Sequence, residues 1–290
     1  MQKLQYNQLY EIKCDGSVDK FDLFFSAYNL RIMVNGFSFS IGRFSTDILS
    51  RLKFLLPEAP RFELSIGSFC ECGDATIVIG GEHHNNLFFN YTFSSGHIFK
   101  KFVAPERQSL VDCKVPEQLI IGNNVVISDN VIVLSNSKIG NGCVVGASSV
   151  VKSNLLDYGV YAGVPVKHLN SRFPQSKIEM LNELKWWNVC NHEVPRLPDY
   201  LYRLYHEQIS SLEFRQAFDF QQEKTELALE CDFDKNNKLR MKGILGYYVN
   251  GEKLTNLSQL KALEAYFGQI SNDKLVKKWI PDIFDFVLNN

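Results

Sequence analysis

The sequence lacks a long apolar run, and no stretch approaches the ~20 consecutive apolar residues that a helix needs to cross a bilayer. It begins Met1-Gln2-Lys3-Leu4-Gln5-Tyr6, without the features of a secretory signal peptide. Its seven cysteines are an odd number at irregular spacing, which is typical of a reducing compartment rather than of a disulfide framework. We therefore expect a cytoplasmic protein with no membrane span.

The chain also lacks an excess of charge of either sign. Its 31 basic and 32 acidic residues leave a formal net charge of -1. This balance does not favour a polyanion as partner, so we expect no nucleic-acid binding. With 290 residues and 45% hydrophobic content, the chain is long enough to bury one large core or two smaller ones.

What the sequence does contain is a repeat of six residues. Aliphatic residues recur at Ile121, Ile127, Val133, Ile139, Val145 and Val151. Small or slim residues fill the fifth position of the same hexads, at Val125, Val131, Ser137, Cys143, Ser149 and Leu155. A period of six fits neither a helix nor an ordinary strand and is typical of hexapeptide solenoids. Each hexad then forms a short strand and a corner, three hexads close one triangular coil, and both sets of residues point inward.

The same pattern occurs earlier in the chain and then stops. Three further hexads begin at Ile66, Cys72 and Val78, but the distance from Ile66 to Ile121 is not a multiple of six. We therefore predict that residues 83–117 form a loop that protrudes from the column. The loop is rich in aromatic residues, which argues against disorder, and long loops in compact repeats are often functional.

The composition changes along the chain and divides it into four parts. Residues 1–61 are predicted to be irregular β structure or imperfect first coils, and residues 62–166 the β-helix with its loop. Residues 167–195 contain a capping helix, because Ile178, Leu181, Leu184 and Trp187 are three apart. Residues 196–290 are predicted to form a small α+β extension, in which Asn250-Gly251 signals a hairpin turn.

Several segments resemble one known family. They are Ile66-Gly67-Ser68-Phe69-Cys70, Gly80-Gly81-Glu82-His83, Tyr91-Thr92-Phe93, Tyr161-Ala162-Gly163-Val164-Pro165 and Lys185-Trp186-Trp187. Together they resemble the xenobiotic acetyltransferase branch of the left-handed β-helix acyltransferases, over roughly residues 62–190. The resemblance implies a mainly β chain folded as a left-handed parallel β-helix, acetyl-CoA as co-substrate, and a homotrimer in which acetyl-CoA and acceptor meet between two columns.

Acetyl transfer from a thioester to an alcohol needs a base near neutrality and donors for the developing oxyanion. By resemblance His83 is that base, and the acceptor attacks directly without an acyl-enzyme. The preceding Gly80-Gly81 offers backbone N–H donors. His84 is the fallback, since a shift of one residue would exchange the two histidines, and both could also be plain polar residues at a loop start. Glu82 could orient an imidazole or could be a solvated carboxylate.

The resemblance also implies where the substrates bind. Corner residues Gly146, Ala147, Ser148 and Ala162 would contact the pantetheine arm of acetyl-CoA through their backbones. The basic residues Lys152, Lys167 and Arg172 would meet its phosphates, although surface lysines are often only solvated. Tyr91 and Phe93 could form a sugar-stacking wall on the acceptor side or could pack against a neighbouring subunit.

Two metal-like patterns are weaker. Asp232, Asp234 and Asn236 imitate the start of a calcium loop, but Asn237 and Gly243 stand where Gly and Glu are needed. His83, His84 and His97 could suggest a zinc site, as in the β-helix carbonic anhydrases. Their spacing lacks the ligand pattern of that group, so we expect no metal.

The family motif changes here at several positions, namely Glu82, Thr92, Val126 and Ser128. Because the branch that these segments resemble also contains enzymes that acetylate sugars and surface polysaccharides, we expect an O-acetyltransferase that acts on a carbohydrate, such as a capsule or lipopolysaccharide sugar. The alternatives are acetylation of an antibiotic of the chloramphenicol or streptogramin type, N-acetylation of an amino sugar, and a non-catalytic trimeric scaffold.

Overall fold

The computed structural model describes residues 29–34, 37–45, 51–55, 63–78, 118–220, 225–233, 239–249 and 252–253. Before the helices, its strands are β1 (Asn29–Val34), β2 (Phe37–Ile41), β3 (Leu52–Leu55), β4 (Glu63–Ile66), β5 (Glu71–Cys72), β6 (Ala75–Val78), β7 (Gln118–Ile121), β8 (Val126–Ile127), β9 (Ile132–Leu134), β10 (Lys138–Ile139), β11 (Val144–Val145), β12 (Val150–Val151), β13 (Gly159–Ala162) and β14 (Lys167–Ser171). The helices are α1 (Gln175–Leu184), α2 (Leu197–Tyr205) and α3 (Ser211–Ala217), with 3₁₀ helices at Trp186–Asn188 and Asn191–Arg196. The last strands are β15 (Thr225–Phe233), β16 (Leu239–Val249) and β17 (Glu252–Lys253).

The chain winds through three sheets in turn, and each successive coil adds a parallel strand to each sheet. The first sheet stacks β2, β4, β7 and β10, the second β5, β8, β11 and β13, and the third β3, β6, β9 and β12. Strands β7, β8 and β9 make one full coil, and β10, β11 and β12 make the next. The predicted mainly β fold with parallel sheets is confirmed.

Ladders of aliphatic side chains fill the inside of the column. All six aliphatic positions from Ile121 to Val151 are buried, and so are all six slim positions from Val125 to Leu155. Ser149 occupies an inward site because its hydroxyl accepts a hydrogen bond from the Gly163 N–H at 3.0 Å. Each fully buried Val or Ile contributes about 1.5–3 kcal/mol, and no single hexad could bury its side chain without the coils on either side.

The third early hexad is out of register with the sequence prediction. Ile77, not Val78, pairs with Val133 and points inward, while Val78 is half-buried. The corner before it is one residue shorter than the corner of the next coil, and in it the Asp74 N–H donates to Asp129 Oδ1 at 2.8 Å. The hexad that was predicted to begin at Val78 therefore begins one residue sooner.

A left-handed backbone conformation recurs at the corners every six residues. It is found, with φ between 55° and 65°, at Asn124, Asn130, Asn136, Gly142 and Ser148. Asn and Gly adopt this region with less strain than other residues, which explains why they recur in these hexads. Phe69 and Tyr158 also have a positive φ at column corners, so this preference is not absolute.

A line of polar side chains connects the corners between the first and second sheets. Asn123 Oδ1 accepts from the Ser68 N–H at 2.8 Å, and Asn141 Oδ1 accepts from the Asn123 N–H at 2.9 Å. Asp157 Oδ1 then accepts from the Asn141 N–H at 2.7 Å, and Asn182 of α1 donates to its other oxygen at 2.8 Å. These bonds satisfy corner N–H groups and fix α1 to this edge of the column.

The helices pack on the same edge of the column. Their shared core contains Leu184, Trp186, Trp187, Val189, Leu197, Leu204, Ile209, Phe214 and Phe218. Helix α1 ends at Lys185, where φ is 47°, and the predicted inward positions Ile178 and Leu184 are buried. The Trp186 ring lies 5.0 Å from the ring of Phe69, which belongs to a column corner. Of the described helices, none combines the length and apolar character needed to span a bilayer.

The strands after the helices extend the first sheet. β15 pairs in parallel with β1 and antiparallel with β16, so the first sheet contains eight strands. The buried carboxylate of Glu226 on β15 pairs with Arg31 of β1 at 2.7 Å. Val249 of β16 pairs with Glu252 of β17, which is consistent with the two-residue hairpin predicted between them.

Candidate functional site

The predicted catalytic residues and acceptor-side residues lie outside the described residues. These are Glu82, His83, His84, Tyr91 and Phe93, in the stretch between β6 and β7. Both ends of that stretch are fixed by neighbouring hydrogen bonds. The Val78 carbonyl accepts from the Ser135 N–H at 3.0 Å, and the Gln118 carbonyl accepts from the Asn136 N–H at 3.1 Å. Val78 and Gln118 therefore both lie at the corner between the third and first sheets.

The corner formed by Gly146, Ala147 and Ser148 lies between the second and third sheets. Gly146 packs closely on the next coil, because a Cβ there would lie 3.0 Å from the Cβ of Ala162. Its N–H donates to the Tyr161 carbonyl at 2.8 Å. Ala147 and Ser148 are exposed and carry small side chains, so this corner presents an open backbone. We call these three residues the 146–148 corner.

The last coil places further cofactor candidates beside this corner. Ala162 ends β13 next to Gly146, and Lys167 pairs with Ala162 from β14. Lys152 follows β12, where Val150 donates to the Gly163 carbonyl at 3.0 Å. Lys152 and Lys167 are both exposed. The structure therefore brings Ala162 and Lys167 to the 146–148 corner and places Lys152 just after the strand that leaves it.

Arg172 lies elsewhere. It follows β14 near Gly159, at the opposite end of β13 from Ala162. Its Nη1 donates to the Gly142 carbonyl at 2.7 Å, and its guanidinium lies 5.3 Å from the centroid of the Phe173 ring. These contacts serve the corner between the first and second sheets, so Arg172 does not join the other cofactor candidates.

Burial keeps the cysteines of the column unreactive. It raises the pKa of Cys70 to about 11, that of Cys72 to about 12 and that of Cys143 to about 11. The thiolate is the nucleophilic form of cysteine, and these thiols stay protonated near neutrality. None of the three is therefore suited to carry an acyl group.

Among the described side chains, no group of three or more His, Cys, Asp and Glu residues is arranged to hold a metal ion. The Asp232–Asn236 and His83–His97 patterns fall partly or wholly outside the residues whose side chains are described. The described part of the site offers corner backbone and two lysines, which suits an elongated anionic ligand.

The column matches a known family. The bacterial transferase hexapeptide family (six repeats) matches residues 119–153. Over 134 residues the chain is 31% identical to a probable macrolide acetyltransferase of Lysinibacillus sphaericus, which covers 46% of this chain and 73% of that protein. This chain belongs to the hexapeptide-repeat acetyltransferases. Membership places it in a family of acyltransferase enzymes.

Two other relatives carry names that refer to different acceptors. One is a chloramphenicol acetyltransferase of Agrobacterium fabrum, 32% identical over 138 residues, which are 47% of this chain and 64% of the relative. The other is a putative lipopolysaccharide biosynthesis O-acetyl transferase of Escherichia coli K12, 32% identical over 102 residues, 35% of this chain and 47% of the relative. The chain thus spans slightly less than two thirds of the first protein and under half of the second.

Sequence reasoning missed two features beside the column. Arg43 is buried and donates to the Trp187 carbonyl at 2.6 Å and also to that of Val189, and so connects an early corner to the helices. Tyr202 and Tyr205 form an exposed pair on α2. The tyrosine pair could have been predicted from the sequence, because two residues three apart lie on one face of a helix. Nothing in the sequence marked Arg43.

Proposed function

We propose that this acetyltransferase is an acetyl-CoA-dependent O-acetyltransferase that acts on a carbohydrate hydroxyl, as a cytoplasmic homotrimer with a left-handed column. The observation that carries the proposal is the conjunction of family membership with an open 146–148 corner beside the last coil. A capsule or lipopolysaccharide sugar is the acceptor class that we favour.

Acetyl-CoA suits the described residues. The pantetheine arm is a slim chain with two amide groups, and the 146–148 corner offers backbone without bulky side chains. The phosphates carry the negative charge of the molecule, and Lys167 and Lys152 are exposed and near this corner. In this arrangement the nucleotide end lies beside the last coil, and the thioester extends toward the earlier coils.

His83 is the proposed general base. In the sequence it follows five residues after Val78, the last residue of β6. The imidazole takes the proton from the acceptor hydroxyl as the hydroxyl oxygen attacks the thioester carbonyl. The tetrahedral intermediate then collapses, the acetyl ester forms, and the CoA sulfur leaves and takes the proton back from the imidazolium. Backbone N–H groups of Gly80-Gly81 stabilise the oxyanion.

The two candidate functions differ in their acceptor. The relative from E. coli carries a name that refers to lipopolysaccharide, and this favours a sugar hydroxyl. The relatives from Agrobacterium and Lysinibacillus carry names that refer to chloramphenicol and a macrolide, and these favour a drug hydroxyl as the second candidate. An assay of the CoA released from acetyl-CoA in the presence of each acceptor distinguishes the two classes. The acceptors tested are oligosaccharides, amino sugars, chloramphenicol, streptogramins and macrolides. Turnover on the drugs alone would exclude the carbohydrate proposal.

The base is tested by replacing each histidine. His83→Ala should lower turnover by about 10²- to 10⁴-fold, the usual contribution of a positioned general base. It should leave acetyl-CoA affinity and the assembly unchanged, because the aliphatic ladders do not involve it. His84→Ala is the matched control and should cost far less. A dead His84→Ala beside a normal His83→Ala would move the assignment by one residue, and normal turnover in both would exclude histidine catalysis.

A further inference from the structure

An exposed aromatic surface lies on α2, on the helices that cap the column. The Tyr202 and Tyr205 side chains are 60% and 58% exposed. The ring of the following residue, His206, lies 4.3 Å from the ring of Tyr202 and 5.0 Å from that of Tyr205. We call these three residues the α2 aromatic surface. Large rings left in solvent together are unusual for a core-forming helix and mark a contact surface more often than scattered apolar residues do.

A groove of about 540 Å³ lies between α1 and the turn from α2 to α3. Its apolar lining includes Met180, Leu204 and Ile209, and its polar lining includes Lys177, Glu207 and Gln208. Seven of its ten lining residues are polar, so the groove is a mainly polar cleft with a small apolar floor. The volume is enough for one or two sugar rings.

Lys177 joins the groove to the aromatic surface. Its Nζ lies 5.3 Å from the centroid of the Tyr205 ring and 3.7 Å from Glu207 Oε1. The two features are therefore neighbours on one face of the helices. Lys177 and Glu207 form a pair and Glu213 also lines the groove, so this face has no excess of positive charge and its polar groups are suited to hydrogen bonding.

The chemistry of this face fits a saccharide. A pyranose has apolar C–H faces that stack on tyrosine rings, and a rim of hydroxyl groups that bond to carboxylate, amide and ammonium groups. Tyrosine offers much contact area with little loss of side-chain entropy, which makes it effective in such surfaces. The tyrosines of α2 supply the stacking rings, and Lys177, Glu207 and Gln208 supply the hydrogen-bonding groups.

We propose that the α2 aromatic surface and its groove bind a sugar unit of a polymeric acceptor, away from the site of acetyl transfer. This inference rests on the proposed function in that the acceptor is a carbohydrate. The helices pack on the corners between the first and second sheets, through the bonds of Asn182, whereas the 146–148 corner lies between the second and third. A sugar bound on α2 therefore holds the polymer without occupying the acetyl-CoA corner.

The test is binding of the full-length protein to an array of bacterial oligosaccharides, followed by titration of each retained glycan. The Tyr202→Ala/Tyr205→Ala variant should bind at least about tenfold more weakly, the equivalent of about 1.4 kcal/mol. The Tyr202→Phe/Tyr205→Phe variant should bind within about threefold of the wild type, because stacking needs the ring and not the hydroxyl. Leu212→Ala removes a side chain that is 63% exposed on α3 and is the matched control, with no expected effect. Thermal unfolding of each variant shows that the fold is retained.

Binding and transfer are measured separately. If the wild-type protein retains no glycan, or if the double alanine variant binds as tightly as the wild type, the inference is overturned. Retention that depends on the tyrosines, in a protein that acetylates only drugs, would support the α2 site and refute the carbohydrate acceptor. Transfer to short sugars that persists in the double alanine variant, with a raised KM only for long ones, would support both.

Discussion

At the scale of single residues, Arg43 illustrates how a charged side chain can join distant segments. Its guanidinium is buried and bonds to the carbonyls of Trp187 and Val189, and it lies 5.7 Å from the centroid of the Phe69 ring. Carbonyl acceptors at the end of one segment and aromatic faces from another together compensate the loss of hydration. Such a contact depends on groups that are remote in sequence, so no local pattern could predict it.

Arg172 and Lys167 should separate structural from cofactor roles. Arg172→Ala should lower the free energy of unfolding by about 1 kcal/mol, because it removes a partly buried hydrogen bond to the Gly142 carbonyl, and should leave the KM for acetyl-CoA within about twofold. Lys167→Ala should do the reverse, raising that KM about two- to fivefold, as expected for an exposed ion pair. Urea denaturation and steady-state kinetics measure the two effects. A raised KM without loss of stability in Arg172→Ala would return Arg172 to the phosphate site that the sequence suggested.

At the scale of elements, the hexad combines an inward ladder with a constrained corner. The ladder tolerates Ile, Val, Cys and Ser, but five successive corners from Asn124 to Ser148 share the left-handed conformation. Four of these five hold Asn or Gly. Phe69 and Tyr158 have the same conformation at the corners before and after these five, so the corner favours Asn and Gly without requiring them.

Asn130 tests this preference. Asn130→Val should destabilise the protein by about 1–2 kcal/mol, because a branched side chain is strained at a φ of 59°. Asn130→Gly should stay within about 1 kcal/mol of the wild type, since glycine accepts the conformation but loses more entropy on folding. Asn170→Val makes the same substitution at an exposed position of strand β14 and serves as control. Equal costs at both sites in urea denaturation would show that corner strain is unimportant.

The sequence predicted the column because its signal is local and periodic. The inward residues from Ile121 to Val151 follow from spacing alone, and all are buried. The five-residue step from Cys72 to Ile77 was missed, because it is visible only in the pairing of these residues with Ile127 and Val133 of the next coil. The pairing of β15 with β1 was missed for a similar reason, since it joins segments about 195 residues apart. Within the site, the resemblance grouped Ala162, Lys167 and Arg172 with the 146–148 corner. The structure places Ala162 and Lys167 there, and it places Arg172 at a different corner, which the sequence alone could not indicate.

At the scale of the whole molecule, the three sheets differ in what covers them. The first sheet is extended by β1, β15 and β16, and the helices pack along its edge with the second sheet. Over the described residues, the third sheet consists of the four column strands, and its outward row at the later coils is apolar. In that row Ile132 is 38% exposed, and Val150 beside it is half-buried. An apolar sheet face on a column is suited to pack against another copy of the chain.

We expect the protein to be a homotrimer of about 100 kDa, three times the 33.3 kDa of the chain, with the third sheet at the interface. Ile132→Asp would bury a carboxylate in that interface and should shift the sedimentation mass toward the monomer. It should also raise the KM for acetyl-CoA, because the family resemblance implies that acetyl-CoA and acceptor meet between two columns. Lys138→Asp changes an exposed outward residue of the first sheet and should leave the trimer intact. A fully active wild-type monomer would refute the trimer, whereas a trimer that persists in Ile132→Asp would place the interface on another face.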